Sequence, residues 1–167
     1  MRQIHLKGRI VRDDIVIGID IAKNVFQVCQ MNASGRIQSN RQVRRKQVLE
    51  IISNLPRGVV ALESCGGSSY WGREIKKLGF EVKLIPAQHV KAFLRNQKND
   101  ANDAVAICEA ALRPDMRCVT PNTVEQQDLQ NLHRIRERLV RSRTGLCNQI
   151  RGLLLEYGIT IPQGRAN

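Results

Sequence analysis

Apolar residues do not run evenly along this chain. They come in short β-branched blocks first and in helical spacing later. "IVIGIDIA" (Ile15–Ala22) is almost wholly apolar, which predicts a central strand buried on both faces. "NVFQVCQMN" follows at once and reads as a second strand, and "GRIQSN" (Gly35–Asn40) as a third, giving an antiparallel meander. Val48, Ile51, Ile52 and Leu55 have helical spacing, so Arg44–Leu55 is predicted as a helix ended by the Pro56-Arg57-Gly58 turn. "VVALES" (Val59–Ser64) is another buried strand. After Gly66 and Gly67, with Ser68 or Ser69 as cap, "YWGREIKKLG" reads as a helix closed by Gly79. "FEVKLIP" (Phe80–Pro86) is the next strand. A short helix follows near "AQHVKAFL", and a longer one runs from the Asp100/Asp103 pair through Leu112, before Pro114.

Three leading strands, then helix, strand, helix, strand, argue against a doubly wound nucleotide fold, which alternates from its first strand. The order fits a ribonuclease-H-like α/β fold, a mixed sheet with flanking helices. From about Thr123 to Tyr157 the period changes. Leu132, Leu139, Leu146 and Leu153 recur every seven residues, while Arg136 and Arg143 fall in the same seam and weaken it. One long helix or a helical hairpin is expected there, with self-association along the leucines. The expected organisation is a basic tail over 1–14, a metal-binding domain over 15–120 and a helical connector over 121–160.

Composition sharpens the picture. At 167 residues, with 42% hydrophobic residues, the chain can bury a core. Lys+Arg total 27 against 15 Asp+Glu, a formal net charge of +12, the balance expected of a nucleic-acid binder. Arg134, Arg136, Arg138, Arg141, Arg143 and Arg151 crowd the predicted long helix with Glu137 as the one acid among them, which suits phosphate contact. The opening residues do not resemble a signal peptide, and no apolar run approaches the roughly 18 residues of a membrane span. Five cysteines, odd in number and without a CxxC pair, read as reduced and mostly buried thiols of a cytoplasmic protein.

Four carboxylates stand out. Asp20 is expected in mid-strand, where an unpaired charge costs several kcal/mol. Glu63 ends the strand expected beside it, and Asp100 and Asp103 open a helix. Strand ends and helix starts meet along one sheet edge, so these groups can converge on two divalent ions, Mg²⁺ or Mn²⁺. Plainer roles exist for each. Asp100 could be an N-cap with Asp103 at the third helical position, Glu63 a rim residue, and Asp20 one half of a buried pair with Lys23 or an arginine. "ESCGGSS" is neither a nucleophile elbow nor a phosphate loop.

"IGIDIAKNVFQV", "ALESCGGSSYWGREIKKLGFEVKLIPAQHVKAF", "KNDANDAVAICEAALRPDMRCV" and "NQIRGLLLEYGI" closely resemble the DEDD-motif transposases of bacterial insertion sequences. This is the family of insertion sequence one-hundred-and-ten and the Piv-type DNA invertases, and the resemblance runs from about Ile15 to Gly164. It implies a RuvC-like domain whose four acids are Asp20, Glu63, Asp100 and Asp103, holding two magnesium ions. It implies recombination of DNA in the bacterial cytoplasm, at the nucleoid, directed in some members by a bridge RNA. Ser69 departs from the histidine that relatives often carry. The family's C-terminal domain, which bears a serine thought to attack DNA, lies beyond this chain. Two further readings remain open: a free-standing RuvC-like nuclease acting on branched DNA, and a non-catalytic nucleic-acid-binding module.

Overall fold

The run of β-branched residues from Ile15 forms the centre of a five-stranded sheet. The structure, a computed structural model, describes residues 15–94, 99–162 and 164; the expected basic tail over 1–14 lies outside them. The strands are β1 (Ile15–Asp20), β2 (Val25–Asn32), β3 (Ile37–Arg44), β4 (Gly58–Ser64) and β5 (Glu81–Pro86), in the spatial order β3-β2-β1-β4-β5. β1 pairs antiparallel with β2 and parallel with β4, and β5 continues the parallel half. A meander on one side of β1 and crossovers on the other give the ribonuclease-H-like arrangement expected from the strand order.

Helices α1 (Val48–Ser53), α2 (Ser68–Lys77), α3 (Ala87–Lys91) and α4 (Asp100–Ala111) flank the sheet. Alternation along β1 divides the core. Ile17 and Ile19 join Phe26, Val28, Val60 and Leu62 against Val48, Ile52, Trp71 and Ile75 of α1 and α2. Val16 joins Cys29, Met31, Ala61 and Ile85 against Ala104, Ile107, Cys108 and Ala111 of α4. Burial on both faces is why β1 reads as an unbroken apolar run.

Several local expectations are corrected. The third strand reaches Arg44, which pairs with Val25, so α1 starts later than its spacing suggests, after a 3-10 turn over Arg45–Gln47. Neither Ser68 nor Ser69 caps α2. Gly67 takes that position at φ 89°, a left-handed conformation open to glycine, and the Ser68 hydroxyl donates to Cys65 O at 2.9 Å instead. Tyr70 is exposed, while Trp71 is buried edge-on against Phe26. The thiols are free, but only Cys29 and Cys108 are buried. Cys65 lies in the turn before α2, Cys118 in an open stretch and Cys147 on a solvated helix, so their positions carry no core.

The chain divides into two compact units, residues 1–123 and 124–167. The second is built on α5 (Val124–Leu155), a single unbroken helix of 32 residues with none of its side chains buried. No helix among the described residues is long and apolar enough to cross a membrane.

Candidate metal centre

Side chains along a strand alternate between faces, so Asp20 shares the α4 face of β1 with Val16 and Gly18. It is the last residue of its strand and not a mid-strand residue, and its carboxyl is half-buried. The parallel register sets Ile19 beside Leu62, so the next positions on β1 and β4 are Asp20 and Glu63. Glu63 lies on the same face as Ala61. Across the sheet's open edge comes the first turn of α4, which begins at Asp100.

The start of α4 is fixed by Asn99. Its backbone is extended (φ −150°, ψ 156°), and its side chain accepts from Asn102 N at 2.8 Å while its carbonyl accepts from Asp103 N at 3.0 Å. Asn99, and not Asp100, is therefore the N-cap, and the two aspartates in the first turn are released from that task. The helix dipole still favours them there, worth about 0.3–1 kcal/mol each. Replacing Asn99 with alanine is expected to cost about 1 kcal/mol in denaturant unfolding; an unchanged midpoint would show that the turn is held otherwise.

Asp20, Asp100 and Asp103 each offer a carboxylate oxygen within 4.8 Å of the others. Glu63, beside Asp20 on β4, lies outside this trio, although its charge acts on Asp20. Among the described residues, no ion pair joins Asp20 to Lys23 or to an arginine. Burial pushes its carboxyl up to about 6, with the charges of Asp103, Asp100 and Glu63 adding to the rise and the Ile21 backbone N–H opposing it. Asp103 Oδ1 is buried and has no hydrogen-bond partner among the described residues. An orphaned carboxylate oxygen beside two further carboxylates is an arrangement that a hard cation with oxygen ligands fits.

The six arginines do not form one surface. All lie on α5, but at about 100° per residue Arg134, Arg138 and Arg141 share one side, whereas Arg136 and Arg143 lie almost opposite, beside the leucine stripe. Arg141 pairs with Glu137 at 2.7 Å, and Arg151 donates to Asn148 Oδ1 and to Gly164 O. Leu132, Leu139, Leu146 and Leu153 are exposed along their stripe. Ser69, the departure from the family's histidine, accepts a hydrogen bond from Asn122 N at 3.3 Å.

Three residues near the acids escaped sequence reasoning. Asn99 was visible as a cap residue in front of an acidic turn. Gln27 stood out as a polar residue in an apolar strand, whereas nothing local to Asn40 marked it.

A mixed sheet of this order, with acids gathered where β1 ends and α4 begins, defines a ribonuclease-H-like domain with an acidic centre. Residues 17–159 match a family model described as transposase, of the DEDD and IS110 type, and the chain belongs to that family. It is 48% identical over 158 residues to the transposase for insertion sequence element IS1111A of Coxiella burnetii, covering 95% of this chain and 43% of that protein. It is 50% identical over 151 residues to a probable family 20 transposase of Pseudomonas aeruginosa, covering 90% of this chain and 45% of the other. The chain thus spans less than half the length of these relatives. Among solved structures, T. thermophilus RuvC in complex with Holliday junction substrate aligns at 16% identity and a TM-score of 0.45, covering 57% of this chain and 90% of that one.

Proposed function

We propose that this chain is the metal-binding part of a DNA transposase, in which Asp20, Glu63, Asp100 and Asp103 hold two divalent cations, Mg²⁺ or Mn²⁺, against a phosphodiester. The observation that carries this reading is the trio of carboxylates within 4.8 Å together with the orphaned Asp103 Oδ1. When bound, the cations would supply Lewis-acid polarisation of the scissile phosphate and of the oxygen that attacks it. The chain's own part is positional. β1 and β4 carry Asp20 and Glu63 on adjacent strands, and α4 brings Asp100 and Asp103 to Asp20. Asp20, with a pKa near 6, is largely ionised at neutral pH and available as a ligand.

The excess of 27 Lys+Arg over 15 Asp+Glu suits a nucleic-acid partner. In this reading Arg134, Arg138 and Arg141 form the side of α5 that contacts phosphate, joined by Arg136, Arg143 and Arg151 only where nucleic acid wraps the helix. The leucine stripe serves self-association. Such charge suits a bridge RNA as well as DNA. The family's serine-bearing C-terminal domain would complete the site for recombination.

A calorimetric Mn²⁺ titration tests the centre. Asp103→Asn is expected to weaken binding at least tenfold, and equal affinity in both proteins would refute the assignment. The purified 167-residue chain is expected to bind DNA without exchanging strands. Efficient strand exchange by it alone would show that the site is complete.

A further inference from the structure

We propose that Gln27 and Asn40 are positioning residues of the acidic centre, a relay of two amides that ties the first turn of α4 to the strand opposite Asp20. The inference rests on the metal-binding reading above and adds to it how the site keeps its shape.

In the antiparallel register of β1 and β2, Gln27 lies directly opposite Asp20. Opposed residues share a face of the sheet, so Gln27 points to the α4 side. It is 5% exposed, one of the few buried polar side chains among the described residues. A buried amide is tolerated when its hydrogen bonds are made. Gln27 Nε2 donates to Asn40 Oδ1 at 2.7 Å, and Asn40 Nδ2 donates to Ala101 O at 3.0 Å.

The relay has a direction. Gln27 presents its NH₂ to Asn40, so the Asn40 oxygen must face Gln27 and its nitrogen must face α4. The acceptor is well placed, because Ala101 follows Asp100 and precedes Asp103 in the first helical turn. Among the described residues, the buried apolar side chains of α4 do not extend into this turn. The buried apolar residues of α4 begin at Ala104, and Asp100 and Ala101 are exposed. Three carboxylates crowded at that end repel one another, and an unsupported first turn opens readily. The Asn40 bond holds this turn from the sheet side, through an edge strand paired with β2.

Metal affinity provides the test, because a pairing that merely stitched β2 to β3 would leave it unmoved. By calorimetric Mn²⁺ titration, Asn40→Ala is expected to bind about tenfold more weakly than the unsubstituted protein, the low end of what partners behind metal ligands contribute. Its metal-free denaturation midpoint should fall, because the buried Gln27 Nε2 loses its acceptor, so affinities are compared where both proteins are fully folded. Gln27→Met, which fills the same space but cannot donate, is expected to weaken binding less. The double variant should bind no more weakly than Asn40→Ala alone, because Gln27 acts through Asn40. If Asn40→Ala does not fold, Gln27→Met carries the test. Unchanged Mn²⁺ affinity in the folded variants, or losses that simply add, would overturn the relay while leaving the metal centre standing. Absence of Mn²⁺ binding by the unsubstituted protein would overturn both.

Discussion

Asp20→Asn is expected to stabilise the metal-free protein at neutral pH and to abolish most of its response to divalent cations. The Asp20 carboxyl is raised from 3.8 to about 6 by burial and by the acids around it. The folded chain therefore holds this proton more tightly than the unfolded chain. Between about pH 4 and pH 6 the unfolded form has released the proton and the folded form has not, so stability falls as pH rises through that window. The full shift corresponds to about 3 kcal/mol at 1.36 kcal/mol per pH unit, and solvent screening of a half-exposed group reduces it to about 1 kcal/mol. Asparagine resembles the protonated acid. Its advantage should be present above pH 6 and absent below pH 4, as read by urea unfolding in a chelator. With Mn²⁺ the order reverses, because a cation at a hundred times its Kd adds about 2.7 kcal/mol to the protein that binds it. A variant less stable than the parent at pH 7.5 in chelator would contradict the electrostatic account.

Gly18→Ala should strongly damage the centre of the sheet, at its packing against α4. A Cβ at Gly18 would stand 2.5 Å from Ala104 O and 2.6 Å from Cys108 Sγ. The first contact is helix backbone, which cannot yield unless α4 moves as a body. A loss of about 2–3 kcal/mol is expected, as for other overpacked cores. Because α4 carries Asp100 and Asp103, its displacement should also weaken Mn²⁺ binding, coupling a packing defect to a site lying beyond it. Gly145 provides the contrast. It lies on α5, where an added methyl group would meet nothing within 4 Å, so alanine there should gain up to about 1 kcal/mol. Near-parental unfolding of Gly18→Ala would mean that α4 does not rest on β1 as closely as described.

How far these features could be read from the amino acids depended on whether their cause was local. β1 and β4 announced themselves because burial on both faces demands unbroken apolar runs. The pairing of Asp100 with Asp103 followed from their spacing in one helical turn. The α2 start misled, because serine is a good cap and glycine at positive φ is an equally good solution that propensity cannot distinguish. The cysteines misled because thiols are usually buried, and three of them fall on turns or on a helix with no partner in its own unit. The division of the α5 arginines was legible in part, because the heptad already set Arg136 and Arg143 in the leucine seam. Asn40 is the clearest case of non-local meaning: its partners are 13 and 61 residues away in sequence, so only the folded sheet reveals its role.

The order in which the acids appear along the chain has a consequence for how the domain is made. Asp20 and Glu63 belong to strands that can pair as soon as β4 has left the ribosome, and two half-solvated carboxylates burden that step little. The crowding arises only when α4, the last element of the sheet domain, settles across β1 with Asp100 and Asp103. Closure of the second core face and the electrostatic crowding therefore come together, in the docking of α4. Cations held as proposed would act at that docking step, as a latch on the finished domain.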